Sequence, residues 1–145
     1  MTGRAFLLLL MLAALGACKQ AIRVDTRAAS SIPTEVAVSK LKELLPKAAF
    51  LSCNEPRATV AQTDIKAWTV DAKGFEFRTT RGESFRLAFS SIRGLELTKI
   101  PLSYELKVFA ATPQDARKDL YRINWKEEAP ARQSLELFEA LREER

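Results

Sequence analysis

Phe75-Glu76-Phe77-Arg78-Thr79-Thr80-Arg81-Gly82-Glu83-Ser84-Phe85-Arg86-Leu87-Ala88-Phe89 reads as two strands and the turn between them. Phe75, Phe77 and Thr79 alternate with Glu76 and Arg78; Phe85, Leu87 and Phe89 alternate with Ser84, Arg86 and Ala88. A period of two marks half-buried antiparallel strands, apolar toward a core and polar toward water. Loop length then decides the register. A two-residue loop at Arg81-Gly82 would set Phe85 against Arg78 and throw the two apolar sets onto opposite sides of the sheet. A three-residue loop, Thr80-Arg81-Gly82, sets Phe77 against Phe85 and Phe75 against Leu87. It also gives Gly82 the left-handed third position that a type I turn with a following bulge requires.

The same alternation extends outward from this hairpin. Upstream, Ile65–Val70 is strand-like with Trp68 and Val70 on one face, and Asp71-Ala72-Lys73-Gly74 turns it into the Phe75 strand. Downstream, Arg93-Gly94 breaks the chain after Ile92, Leu95 and Leu97 begin another strand, and Pro101 ends it. Leu102, Tyr104, Leu106, Val108 and Ala110 alternate as the next strand. Thr112-Pro113-Gln114-Asp115 is turn chemistry, and Tyr121, Ile123 and Trp125 share one face of the last strand. Residues 54–63, with Pro56 among polar neighbours, read as a connection.

Two segments carry a helical period instead. Thr34 can cap a helix starting at Glu35, whose Ala37, Leu41, Leu44, Leu45 and Ala48 recur at three- and four-residue spacing until Pro46 interrupts the ladder. That apolar stripe serves either to pack on the domain's own sheet or to lie on a membrane surface, and it lacks the Trp or Phe that interfacial helices favour. Over residues 131–141, Ala131, Leu135, Leu137, Phe138 and Leu141 fall on one arc, opposite Arg132, Glu136 and Glu139, after a Pro130 suited to a first turn. The expected fold class is α+β: a small antiparallel β-meander or roll of about six strands, closed by a C-terminal amphipathic helix, with an extra N-terminal helix.

The chain starts differently. Arg4 precedes an unbroken apolar run from Ala5 to Leu15, too short to span a bilayer and followed by Leu15-Gly16-Ala17-Cys18 and then Lys19. This stretch resembles the lipobox of bacterial lipoproteins, with leucine three places before the cysteine and small residues between. The resemblance implies a signal peptide over residues 1–17, cleavage between Ala17 and Cys18, a diacylglycerol on the Cys18 sulfur and a further acyl chain, palmitate in type, on its new amino group. Lys19 in place of an aspartate implies sorting to the outer membrane, facing the periplasm. Residues 18–32, polar and without period, read as the lipidated cysteine and a flexible tether, and residues 33–145 as one domain.

Removing residues 1–17 takes away one of the chain's 23 Lys and Arg and none of its 18 Asp and Glu, so a modest, dispersed positive excess stays with the domain. No basic run interleaves with aromatics, so a nucleic-acid partner is not expected. With Cys18 lipidated, Cys53 has no partner in the chain. It reads as a buried apolar side chain, as one half of an intermolecular disulfide, or as a nucleophile that lacks a neighbouring base.

About six antiparallel strands, Phe89-Ser90-Ser91-Ile92 before a tight turn, and one amphipathic helix closing the chain after a Trp-bearing strand resemble the pleckstrin-homology-like superfold, in particular its short bacterial and GRAM-type versions. The likeness covers residues 65–142; a different helix-capped β-roll, or a sheet flanked by both helices, are the other architectures the pattern fits. The resemblance implies recognition of peptides or protein surfaces beside the closing helix. The inositol-phosphate clamp of lipid-binding members is not carried over, because Asp71-Ala72-Lys73-Gly74 holds an acid and lacks a close basic repeat.

Catalytic chemistry is sparse. The chain contains no histidine, which removes the commonest general base and zinc ligand together. Cys53 alone makes no thiolate site, no Gly-rich phosphate loop is present, and Ser39-Lys40 are adjacent helical residues that point different ways. Glu127-Glu128 and Glu143-Glu144 read as solvated charges at the ends of the last helix. The expectation is a non-enzymatic envelope module without metal or cofactor beyond its acyl chains, held to a membrane and binding a protein or peptide. The competing expectation is a binder of anionic lipid or envelope polymer through Lys66, Lys73, Arg78, Arg81 and Arg86, with an enzyme as the remote third.

Overall fold

In the computed structural model, which describes residues 19–54, 57–111 and 118–142, Phe77 faces Phe85 and Phe75 faces Leu87 across the hairpin. Gly82 sits at φ +88°, and the Thr79 N–H donates to the Glu83 carbonyl oxygen at 2.8 Å, closing the three-residue loop. In chain order the elements are β1 (Gln20–Ile22), α1 (Thr34–Leu44), β2 (Phe50–Asn54), β3 (Arg57–Ala61), β4 (Ile65–Val70), β5 (Gly74–Thr79), β6 (Ser84–Ala88), β7 (Ile92–Ile100), β8 (Ser103–Ala110), β9 (Lys118–Trp125) and α2 (Glu128–Arg142). The strands form two antiparallel sheets. One has six strands in the order β1-β7-β8-β9-β2-β3, the other three in the order β4-β5-β6.

The fold is therefore α+β as expected, with nine strands among the described residues where about six were read. The two sheets meet through aromatic rings: Phe75 lies 5.6 Å and Phe77 6.5 Å, centroid to centroid, from Tyr121 on β9. Phe138 of α2 closes the core, 6.0 Å from both Phe75 and Phe89. Each ring buried in this way stabilises the fold by about 1.5–3 kcal/mol relative to exposure. All five stripe residues of α2, Ala131, Leu135, Leu137, Phe138 and Leu141, are buried. On α1 and the 3₁₀ turn that follows it, Ala37, Leu41, Leu44, Leu45 and Ala48 are buried too, against α2 and β4. That stripe is spent inside the domain, leaving none for a membrane surface.

Several expectations are corrected. Residues 20–32 are not a tether: Gln20–Ile22 pairs with Leu97 to Lys99 of β7, Ile22 and Val24 pack on the core, and Ala29 is buried in a 3₁₀ turn. Three paired residues are too few to display a period, which is why the segment looked structureless. Residues 54–63 are not a simple connection, because β2 and β3 pair from Phe50↔Ala61 to Asn54↔Arg57, with Leu51, Cys53 and Val60 buried. Ser52 and Thr59, facing each other on the outer side, disguised the alternation. Arg93-Gly94 does not end a strand; the register shifts there and β7 runs on through a bulge. Leu102 belongs to the β7–β8 turn rather than to β8, and Pro33, not Thr34, occupies the N-cap of α1. Leu15, Gly16, Ala17, Cys18, Pro56, the Thr112-Pro113-Gln114-Asp115 turn and Glu143-Glu144 lie outside the described residues. Among those described, no helix is long and apolar enough to cross a membrane.

Candidate functional site

Two surfaces gather polar chemistry. The first is the solvent face of β4, β5 and β6. The three-residue loop that sets Phe77 against Phe85 also sets Glu76 against Arg86, and Arg86 Nη2 donates to Glu76 Oε2 at 2.7 Å. Arg78 Nε stands 3.8 Å from the other Glu76 oxygen. Hydrogen bonding to Arg86 holds the Glu76 carboxyl below its usual range, and the same contact raises the Arg86 guanidinium. Beside this pair lies a cleft of about 310 Å³ lined by Asp71, Lys73, Glu76 and Arg86 over the backbone of Gly74. Asp71 is committed to its own turn, since Oδ1 accepts from the N–H groups of Lys73 at 2.8 Å and Gly74 at 3.0 Å, and these bonds lower its pKa.

Of the five basic residues read as an anionic surface, the structure brings Lys73 and Arg86 into that cleft and places Arg78 on the same face. Arg81 stands at the tip of the β5–β6 turn and Lys66 at the bulge of β4, both exposed. The cleft holds two cations against two carboxylates, and Glu76 engages both arginines. A polyanion would have to displace Glu76, so the charge balance there does not favour one.

The second surface was not read from the sequence. A groove of about 440 Å³ runs between β7 and α2, floored by Ile22, Val24, Leu95, Leu97 and Leu135 and rimmed by Arg23, Glu96 and Glu139. Arg142 Nε donates to Glu139 Oε2 at 2.8 Å, and Arg132 Nη1 reaches the Arg23 carbonyl oxygen at 3.5 Å, tying one wall to α2. β1 pairs only with Leu97 to Lys99, and Arg23 and Val24 run on beside Glu96 and Leu95 beyond the strand pairing, so among the described residues no strand pairs with that edge of β7 from Arg93 to Leu95. An apolar floor beside an open strand edge is the geometry that accepts an extended peptide. The signal that would have found it is the pair Ile22 and Val24, alternating with Arg23 inside the stretch read as tether.

Cys53 is inward-facing on β2 and buried, and burial pushes its thiol up to about 12. A thiol held protonated is a poor nucleophile. Among the described residues, no group of three or more His, Cys, Asp or Glu is placed to hold a metal ion. Compared with protein-family models, curated proteins and solved structures, the chain matches none.

Proposed function

We propose that this chain is a lipid-anchored, non-enzymatic binding module of a bacterial cell envelope, carried on the outer membrane through acylated Cys18 and taking an extended segment of a protein or peptide partner into the groove beside α2. The observation that carries the binding part is the groove itself, with Ile22, Val24, Leu95, Leu97 and Leu135 under an open edge of β7. Main-chain hydrogen bonds from that edge would supply affinity, and the apolar floor would select alternate side chains of the guest strand. The anchoring part rests on Leu15-Gly16-Ala17-Cys18 and on the apolar run from Ala5 to Leu15 that precedes it.

Both parts are testable in the native host. A photo-crosslinking residue at Arg23, on the groove rim, is expected to give a discrete adduct in intact cells, and the same residue at Glu83, in the β5–β6 turn, none. Equal adducts at the two positions would remove the groove as the site. Cys18→Ala is expected to abolish palmitate labelling and release the protein from the membrane fraction; an unchanged distribution would remove the anchor.

A further inference from the structure

Register places a set of residues together at one end of the six-stranded sheet. Gln20 pairs with Lys99, Lys99 with Tyr104, and Tyr104 with Trp125, so Lys19, the Ile100-Pro101-Leu102-Ser103 turn and Lys126 emerge at the same end. Cys18 is two residues before Gln20, and two residues of chain span at most about 7 Å. Whatever holds Cys18 is therefore held against this end of the sheet.

Leu102 occupies the tip. It is 97% exposed, and its φ of 70° makes it, among the described residues, the non-glycine in the left-handed region. A turn with proline at its second position and positive φ at its third normally takes Gly or Asn there, because a branched side chain strains the backbone. Among the described residues, the chain thus keeps a large apolar side chain at a point where both backbone and solvent disfavour it, a combination that motivates a functional reading of the exposed leucine. Exposed lysines share this end of the sheet. Lys99 Nζ lies 6.0 Å from the Tyr104 ring, and Lys126 shares with Lys47 a recess of about 450 Å³ floored by Trp125 and Pro130, where Glu127 is the opposing charge. An apolar tip at an end of the sheet that carries more lysines than carboxylates, with a half-buried tyrosine beside Lys99, fits the boundary between headgroups and acyl chains.

We infer that this end of the domain docks on the lipid surface beside the anchor, with Leu102 entering the acyl boundary and Lys19, Lys99 and Lys126 meeting anionic headgroups. The inference rests on the anchoring proposed above. It fixes an orientation: the strands stand away from the bilayer, and Leu95, five residues up β7 from Ile100, holds the open edge roughly 17 Å higher.

The test uses the acylated chain in vesicles of phosphatidylethanolamine and phosphatidylglycerol. Leu102→Cys supplies a labelling site, since Cys18 is blocked by lipid and Cys53 is buried and protonated. An environment-sensitive fluorophore at that site is expected to shift to the blue and to be quenched by lipids brominated on their acyl chains. The same label on Arg81→Cys is expected to report water. Reversing charge in Lys99→Glu/Lys126→Glu should lower the quenching on phosphatidylglycerol vesicles and leave it unchanged on phosphatidylcholine alone. A Leu102→Cys label as aqueous as the Arg81→Cys label, on protein that stays vesicle-bound, overturns the docking and leaves the anchor standing. Quenching indifferent to the charge reversal on both lipids overturns the headgroup contacts. Mass spectrometry showing no acyl group on Cys18 overturns the anchor and the docking with it.

Discussion

The Tyr121 hydroxyl on β9 donates at 3.1 Å to the main-chain carbonyl oxygen of Arg86 on β6, a polar link between the two sheets. It adds a polar contact to the packing of Phe75 and Phe77 on the Tyr121 ring. Tyr121→Phe keeps the ring and removes the donor, so the expected loss is about 1 kcal/mol, read as a lower urea midpoint with an unchanged slope.

Gly74 opens β5 where another backbone passes close by. A Cβ added there would lie 2.1 Å from the Leu87 carbonyl oxygen and 3.1 Å from the Ala88 Cα. Backbone on both sides has to yield, so Gly74→Ala is expected to destabilise by about 1–3 kcal/mol. Gly82, at φ +88° but with open space around it, is expected to suffer for its dihedral instead, and Gly82→Asn should be tolerated better than Gly82→Val.

Alkaline pH should unfold the domain through Cys53 first. Its thiol titrates near 9.0 when exposed and is pushed up to about 12 by burial, so the fold favours the protonated form. The stabilisation is complete below pH 9 and is lost as pH rises toward 12, at about 1.4 kcal/mol per pH unit for one proton. Burial raises the Tyr121 phenol as well, adding a second loss of the same sign above its ordinary value near 10. Urea midpoints measured from neutral to alkaline pH should fall with this slope, and Cys53→Ala should flatten its lower part.

Leu102→Gly separates strain from purpose. Relief of the left-handed leucine outweighs the greater unfolded-chain freedom of glycine only slightly, so the variant should gain up to about 1 kcal/mol. Thermal unfolding reads the gain. A loss of stability would mean that Leu102 contributes contacts to the fold despite its exposure.

How much of this was legible depended on how many residues repeat a pattern. The β5–β6 register followed from Gly82 and two alternating runs, and it already contained the Glu76–Arg86 pair. Burial of Tyr121, Ile123 and Trp125, and of the α2 stripe, followed from period and length. What escaped had too little repetition to show. β1 has three residues, β2 and β3 interleave small polar residues with their apolar ones, and Leu102 continued an alternation that Pro101 had already turned aside. The groove was hidden for the same reason, because two of its floor residues belong to the strand too short to read and to its continuation. Lys73 and Arg86 were visible as basic residues, but the acids that balance them mattered only once the turn at Asp71 and the cross-strand pair were known.

A first strand that begins two residues past Cys18 leaves no slack. For a chain held at that cysteine, the working radius is the size of the domain, roughly 35 Å across. A ligand diffusing in the middle of the compartment would pass out of range. A module held in that way would meet only what already travels close to the same leaflet, and its search would be confined to a plane.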